Sequence, residues 1–586
     1  MPKLLPLVFH HAFSLASAFL VATSLLVPPQ AYAQAPGWQG GTAIGNSTNA
    51  TSSNGINAMA TDAAGNVYVT GTFYDRAVFN NTPIISQADG SGFVAKWSPI
   101  TRQFIWVIQF GGAQGVVTPL ALAVNGPDVY VAGGFTTTGL NWGTTGTYVA
   151  NPGGANYTSE GFVAKLTDYG TTLSYGWLQR VGGTGYDRIE GLAVSGSNVY
   201  VAGSFSGPTA TFGGTSLTSL GSRDGFVAKF IDAGTTSSFG WVQRLGGTGI
   251  EEAHKVAAAN GNVYVTGTTT GTVTLGSTTL SSTGGTDGLV AKLTDAGASS
   301  SFGWVQPLQG SGNEVALDVV ASGSAVYVAG SFTSLTATFG TTSLSSAGGL
   351  DGVVARLTDA GSTASVTWAQ RLGGSLDDEP QALAAVGGKV YVAGYFGSGS
   401  PVGGGPSAAF GSTQLQAAGG SDAFLTRLTD TGIAGRFDWA QAAGSTANDY
   451  ANAVTLNGVT PCVGGFFTGS SFPIGITTLT NLHTGSATSF VASLTDLALP
   501  TRNAALQEGF ALYPNPAHAL VTVRIPGAVG SSATLTLFDA LGRVKRTQLM
   551  PAGIDATVNL TGLTPGMYVL QVQADEAIAV RQLLVE

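Results

Sequence analysis

The sequence predicts an all-β protein: a seven-bladed β-propeller followed by a small Ig-like β-sandwich. Three observations predict it. A Trp-bearing segment, a V-Y-V-x-G segment and a G-F-V-A-K-L segment recur in fixed order, with a period of about 67 residues, the signature of a repeat architecture. The array starts with one strand too many and ends with one too few. After Asp496 the pattern stops, and a different set of alternating strands begins.

The Trp anchors are Trp38, Trp106, Trp177, Trp241, Trp304, Trp368 and Trp439. The second anchors centre on Tyr68, Tyr130, Tyr200, Tyr264, Tyr327 and Tyr391, with Cys462 in the seventh place. The third carry Lys96, Lys165, Lys229, Lys292, Arg356, Arg427 and Ser493. In one repeat, Gly191 to Val194 is an apolar strand and Ser195 to Asn198 a tight turn built of residues that favour turns. Val199 to Phe205 returns, Phe226 to Phe230 is a third strand, and Phe239 to Gln243 a fourth. Four strands in series make a propeller blade.

Trp38 stands alone at the start, in the phase of a fourth strand, while the last repeat ends at Phe490 to Leu494 without one. Pairing these two segments would close a ring and remove an open sheet edge. Strand parity places the first-to-second and third-to-fourth turns on one face. The long second-to-third connections, such as Ser206 to Asp224, share the other face with the blade-to-blade connections. The long connections carry Ala-Thr-Phe-Gly-x-x-Ser-Leu at Ala210 to Leu217 and Ala337 to Leu344, which reads as an added hairpin. The elaborate face is the better place for a binding site.

Composition agrees. Charged residues are only 9% of the chain, but apolar residues reach 44% and Gly numbers 86, which fits ordered strands and tight turns rather than disorder. The net charge is -9 and no basic patch is evident, so nucleic acid is not an expected partner. Lys3, the apolar run Leu15 to Val27 and Ala31-Tyr32-Ala33 read as a secretory signal over 1–33, leaving Gln34 first. The single cysteine, Cys462, excludes an intrachain disulfide and reads as a core filler. The repeat domain spans 34–496, a linker 497–509, and a C-terminal domain 510–586.

Two sets of motifs carry a resemblance. Gly65 to Gly71, Gly261 to Gly267 and Gly348 to Arg356 resemble the bacterial SBBP-type β-propeller repeats over roughly 38–496, a likeness that implies a fold and no activity. Tyr513-Pro514-Asn515-Pro516, then Leu537 to Arg543 with Gly542, then Gly562 to Leu570 with Gly566 and Tyr568, resemble the type A C-terminal sorting domain of type IX secretion. That resemblance implies a Gram-negative cell, partnership with the type IX machinery and its sorting peptidase, removal of the domain, and surface attachment or release.

Chemistry is sparse. Gly182 to Ile189 matches the calcium unit G-G-x-G-x-D-x-U, but that unit works only as stacked nonapeptides, and its echo at Gly246 to Glu251 comes a whole repeat later. It is read as a turn between blades, and no metal, cofactor or catalytic residue is assigned. The acids Asp187, Glu190, Glu251, Glu252, Glu314, Asp377, Asp378, Glu379 and Asp449 fall in corresponding loops and read as a solvated acidic rim. Paired carboxylates there could serve glycoside hydrolysis if suitably spaced. The residues picked out for a ligand face are Trp142, Asp187, Glu251, Glu252, Asp377 and Asp378. Asp224, Asp287, Asp351 and Asp422, before each third strand, read as turn residues bonding local backbone. The leading functional reading is a monomeric, exported binding, adhesion or scaffolding protein with a glycan or surface protein as ligand. A secreted carbohydrate-active enzyme and a structural surface-layer protein are the alternatives.

Overall fold

The computed structural model describes residues 36–46, 53–87, 89–112, 114–136, 139–143, 147–148, 159–398, 407–494, 510–524, 532–539, 544–551, 555–574 and 577–586. The signal segment and the linker expected from sequence lie outside these. Among the described residues the chain is all-β, with many antiparallel sheets and no helix. Ala35–Leu497 forms one compact unit, and Ala498–Glu586 belongs to another.

In the larger unit each repeat folds as a four-stranded antiparallel meander. The third sheet shows the order: Arg188–Ser195, Asn198–Ser206, Arg223–Asp232 and Ser237–Leu245, each hydrogen-bonded to the next. The first to sixth sheets span 53–110, 117–183, 188–245, 251–309, 314–374 and 377–443. The seventh combines Asp449–Asn457, Thr460–Phe467 and Thr488–Leu494 with Trp38–Asn46. Trp38 lies opposite Leu494 and Ala43 opposite Phe490, the pairing the surplus strand anticipates. The first strands of successive sheets neighbour one another in a closed circuit, from the first sheet round to the seventh and back.

The added hairpins do more than decorate loops. Thr209–Phe212 with Thr215–Thr218, from the third sheet's long connection, extends the second sheet by pairing Phe212 with Val181. Equivalent hairpins add to the seventh, fourth and fifth sheets through Val78, Phe339 and Ala409. The hairpin phenylalanines pack inward, as Phe212 does on Phe226 at 4.8 Å between ring centres. Hydrophobic clusters fill the space between neighbouring sheets, so each sheet is buried on both faces. Cys462 is fully buried in one of them, and burial pushes its thiol up to about 12.

Among the described residues, five successive junctions, from the first sheet to the sixth, are each fastened by an aspartate. On the third sheet Tyr200, Lys229 and Trp241 all donate to Asp295 of the fourth, at 2.6, 2.6 and 2.9 Å. The same trio recurs onto Asp168, Asp232, Asp359 and Asp430, with Arg356 replacing lysine in the last. An Asp-x-Gly turn aims each carboxylate, as Gly297 N–H donates to Asp295 Oδ1 at 2.9 Å. Burial alone would raise these carboxyls. The hydrogen bonds from Lys229, Tyr200 and Trp241 outweigh it and hold Asp295 low.

The junction between seventh and first sheets uses other means. Cys462, Ser493 and Pro99 stand where the repeat has Tyr, Lys and Asp. There Asn54 Oδ1 accepts from Ser489 N–H at 2.7 Å, Asn452 Nδ2 donates to Ile56 O at 3.0 Å, and Thr61 and Thr455 meet at 2.8 Å.

The smaller unit has two antiparallel sheets. Ala511–Tyr513, Leu520–Arg524 and Ala556–Asn559 form one. Ser532–Asp539, Val544–Pro551, Gly566–Ala574 and Ala577–Val585 form the other. Val521, Val523, Leu535, Leu537, Leu570, Val572 and Leu583 alternate inward to make their common core.

Asp295→Ala should strand a buried Lys229 ammonium and cost about 3–5 kcal/mol in urea unfolding. Asn54→Ala at the junction removes only neutral bonds and should cost about 1–3 kcal/mol. Equal losses for the two would contradict the charge-centred account of the aspartate fastening.

Candidate functional site

The first strand of each sheet starts at the sheet-to-sheet connection, and the second strand ends there. Residues at these two strand ends therefore lie on the long-connection face. Reading around the circuit, the cross-strand pairs at one level are Gly55/Thr72, Thr118/Gly134, Arg188/Ser204, Glu252/Thr268, Val315/Ser331, Glu379/Tyr395 and Tyr450/Phe466. The backbone repeats, but the side chains do not. The first two pairs are small, the next two charged, and the last two aromatic.

On the charged side, Arg188 Nε lies 2.6 Å from Glu190, and His254 Nδ1 lies 3.1 Å from the same carboxylate. Glu252 pairs with Arg223 and, at 3.7 Å, with Arg188. Both guanidiniums sit over the ring of Tyr186, at 5.7 and 5.4 Å. A cavity of about 140 Å³ opens beside them, lined by Thr118, Leu120, Phe135, Ser159, Tyr186 and Arg188.

On the aromatic side, Tyr395 meets Tyr450 edge to face at 4.9 Å, and Tyr450 meets Phe466 at 4.9 Å. Glu379 accepts from Tyr395 Oη at 2.8 Å, Gln381 Nε2 at 2.8 Å and Ser331 Oγ at 3.1 Å. Tyr395, Tyr450, Phe466 and Glu379 are all half-buried.

Deeper along the first strands the register shifts in every sheet, twice in the sixth. Residues near these shifts tie the sheets together. Asn57 Nδ2 donates to Pro119 O at 2.8 Å, Lys255 Nζ to Glu190 O at 2.7 Å, and Leu383 N–H donates to Asp318 at 2.7 Å.

The acids expected at a solvated rim divide into two groups. Asp187, Glu251, Glu314, Asp378 and Asp449 are fully buried, which corrects that expectation and takes Asp187, Glu251 and Asp378 off the ligand face. The physical reason is local. In four of the five the acid accepts from the backbone N–H four residues earlier: Gly183 for Asp187 and Gly247 for Glu251, both at 2.7 Å, Gly374 for Asp378, and Ser445 for Asp449. The calcium-like Gly-Gly of 182–183 is therefore a turn whose N–H groups hold an aspartate. Trp142 is also fully buried, edge-on to Phe110 at 5.2 Å and Tyr175 at 5.5 Å, and offers no ring face to solvent. Of the ligand-face residues read from sequence, Glu252 is half-buried and Asp377 exposed.

Each of these acids faces a second one. The partners are Glu160, Asp224, Asp287, Asp351 and Asp422, at the start of the third strand. The last four bond local backbone as the sequence suggests: Leu220, Thr283, Ala347 and Ala418 donate to them from four residues earlier. A glycine lies against both carboxyls. A Cβ on Gly182 would meet Glu160 Oε2 at 2.6 Å and Asp187 Oδ2 at 2.7 Å, and one on Gly373 would meet Asp351 and Asp378 at 2.8 and 2.9 Å. Both glycines have positive φ, at 148° and 130°. Asp224 Oδ1, Glu314 Oε2 and Asp422 Oδ1 are buried with no donor in reach among the described residues, unless the facing carboxyl keeps its proton. Sequence reasoning missed these pairs because their members are distant in the chain.

In the C-terminal unit, Arg524 forks onto Asp555 at 2.9 and 2.8 Å and covers the ring of Tyr513, whose hydroxyl also donates to Asp555. Asn515 accepts from Leu584 N–H at 2.9 Å and donates to Gln582 O at 2.8 Å, pinning the last strand. Tyr568 Oη donates to Thr564 O at 2.8 Å. Pro514 and Pro516 flank Asn515, and Gly566 opens its strand, while Gly542 lies outside the described residues.

Residues 511–586 match the family described as the secretion system C-terminal sorting domain. This type IX tail makes the chain a secreted or cell-surface protein handled by the type IX secretion machinery. No curated protein sequence matches the chain. Among solved structures, the chain is similar to a phage phi92 endosialidase at 12% identity, with 93% of this chain and 87% of that one covered and a TM-score of 0.34. It is also similar to Drosophila Plexin A in complex with Semaphorin 1b, at 8% identity, 78% and 88% coverage and a TM-score of 0.33.

The acid pairs set a pH dependence. Burial, with the facing carboxyl, raises Asp187 and Asp449 to about 7, and Asp378 and Asp422 rise to about 6, burial being the main cause. A group with a raised folded pKa stabilises the fold below its unfolded value and loses that contribution as pH rises through the folded value. The fastening aspartates, held low, act oppositely and only in stronger acid. The melting temperature should therefore fall as pH rises from about 4 to about 7 and then level off. Asp449→Asn should shallow that slope in a calorimetric pH series. A melting temperature that climbs over the same range would contradict the protonated pairs.

Proposed function

We propose that the circuit of sheets is a seven-bladed β-propeller of the SBBP repeat type, exported by a Gram-negative cell behind a signal peptide at 1–33. In this reading the 34–496 ring binds a glycan or surface-protein ligand in adhesion or scaffolding. The linker 497–509 and sorting domain 510–586 deliver it. The closed neighbourhood of first strands and the Trp38–Leu494 pairing support the ring.

One observation carries the binding role: the loss of repeat symmetry at the channel mouth. Five sheets have Thr72, Gly134, Ser204, Thr268 or Ser331 at a position where the sixth and seventh have Tyr395 and Phe466. Packing between sheets is satisfied by the small residues five times over. Large aromatic rings left half-exposed beside the axis therefore serve something other than packing. The carboxyl pairs do not suit hydrolysis in this arrangement, because both members are closed to solvent.

Mature protein probed on a glycan array and against immobilised surface proteins should retain a ligand on the long-connection face. Tyr450→Ala should weaken that binding at least tenfold with the melting temperature nearly kept. Retention unchanged by Tyr450→Ala and by Arg188→Ala, or turnover of a glycan in a hydrolase screen, would refute the binding reading.

Removing 510–586 should hold the protein inside the outer membrane while the ring still folds. Surface display of the truncated protein would refute the role given to this domain.

A further inference from the structure

The two charged regions of the mouth differ in how their carboxylates are neutralised. Glu190 and Glu252 have Arg188, Arg223 and His254 within ion-pair reach. Glu379 has only neutral donors: one phenol, one amide and one hydroxyl. Among the described residues it joins no ion pair. It is half-buried, and the next carboxylate in sequence beyond Asp378, the exposed Asp377, adds to the same negative region. The net charge of -9 points the same way.

A row of aromatic rings begins at Glu379. Tyr395 holds one carboxylate oxygen, Tyr450 abuts Tyr395, and Phe466 abuts Tyr450, each step 4.9 Å between ring centres. An aromatic face attracts a cation through its quadrupole, and an anion at the rim adds a Coulombic term in a partly dehydrated place. Rings alone would suit many apolar or sugar ligands. A row of rings that begins at an unneutralised carboxylate selects for positive charge.

We propose that Glu379, Tyr395, Tyr450 and Phe466 form a site for an organic cation: the ammonium or guanidinium group of a Lys or Arg side chain on a peptide ligand. Glu379 supplies the countercharge. Tyr395 and Gln381 fix its orientation through hydrogen bonds to the same oxygen. Tyr450 and Phe466 supply ring surface for the alkyl chain and the charged head. The inference rests on the binding reading above and names the chemistry of its ligand.

The test uses the mature protein and two small probes at low ionic strength: Nα-acetyl-lysine methyl ester and the same molecule acetylated on the ε-nitrogen. They differ in one positive charge. Calorimetric or NMR titration should show the charged probe binding at least tenfold more tightly than the neutral one, with the preference shrinking as salt is added. Glu379→Gln should abolish the preference, and Tyr450→Ala should weaken the charged probe at least tenfold. Asp62→Asn, in a first-to-second-strand turn on the opposite face, should leave both unchanged. Phe466→Leu keeps an apolar filler, so it serves if Tyr450→Ala fails to fold, and it too should weaken the charged probe. Equal affinity for the two probes, no binding by either, or a preference that survives Glu379→Gln would overturn the cation site. If a neutral glycan binds and Tyr450→Ala abolishes it while the lysine probes do not bind, the cation site falls and the binding reading stands.

Discussion

The buried aspartate at five successive sheet-to-sheet junctions is the constraint on which the larger unit depends. A four-stranded meander has two faces and no closed core of its own, so it is stable only between two others. Apolar packing supplies most of the area but is non-directional. Asp168, Asp232, Asp295, Asp359 and Asp430 supply direction. Each takes a phenol, an indole and a cation from the preceding sheet, so neighbouring sheets can meet in one register only. The recurring Tyr, Lys and Trp of the sequence are thus three donors to one acceptor.

The junction that joins the chain's two ends dispenses with this device, and all its parts go together. Tyr, Lys and Asp are replaced by Cys462, Ser493 and Pro99. A lone Lys or Asp left there would be a buried, uncompensated charge, costlier than none. Trp38 remains, because its indole finds Ala442 O at 3.0 Å instead. Closure there rests on strand pairing and neutral side-chain bonds, which fits a junction made between segments distant in the chain.

At the opposite end of the second to seventh sheets stand the carboxyl pairs. Their acids hold the tight connections, and the adjoining glycines leave room for two carboxyls where a side chain would collide. Both features look like chemistry in the sequence and are architecture in the fold. What lies just above them varies from sheet to sheet. That contrast between a fixed frame and a variable rim is the basis of the ligand site proposed above. The sorting domain makes the chain a secreted or cell-surface protein.

The sequence by itself determined the repeat, the order of strands within it, the surplus strand at Trp38, the added hairpins and the C-terminal sorting motifs. All of these are carried by residues close together in the chain, through turn chemistry and period-two alternation. It also determined that Asp224, Asp287, Asp351 and Asp422 bond local backbone, since their donors lie four residues away. Only the tertiary structure decided which acids are buried, that they stand in pairs, that Trp142 belongs to the core, and that the rings of Tyr395, Tyr450 and Phe466 form a row beginning at Glu379. The acid pairs, the seat of Trp142 and the contact of Tyr395 with Tyr450 depend on distances between neighbouring sheets. Residues brought together there come from different repeats, and no local pattern records which side chain will face which.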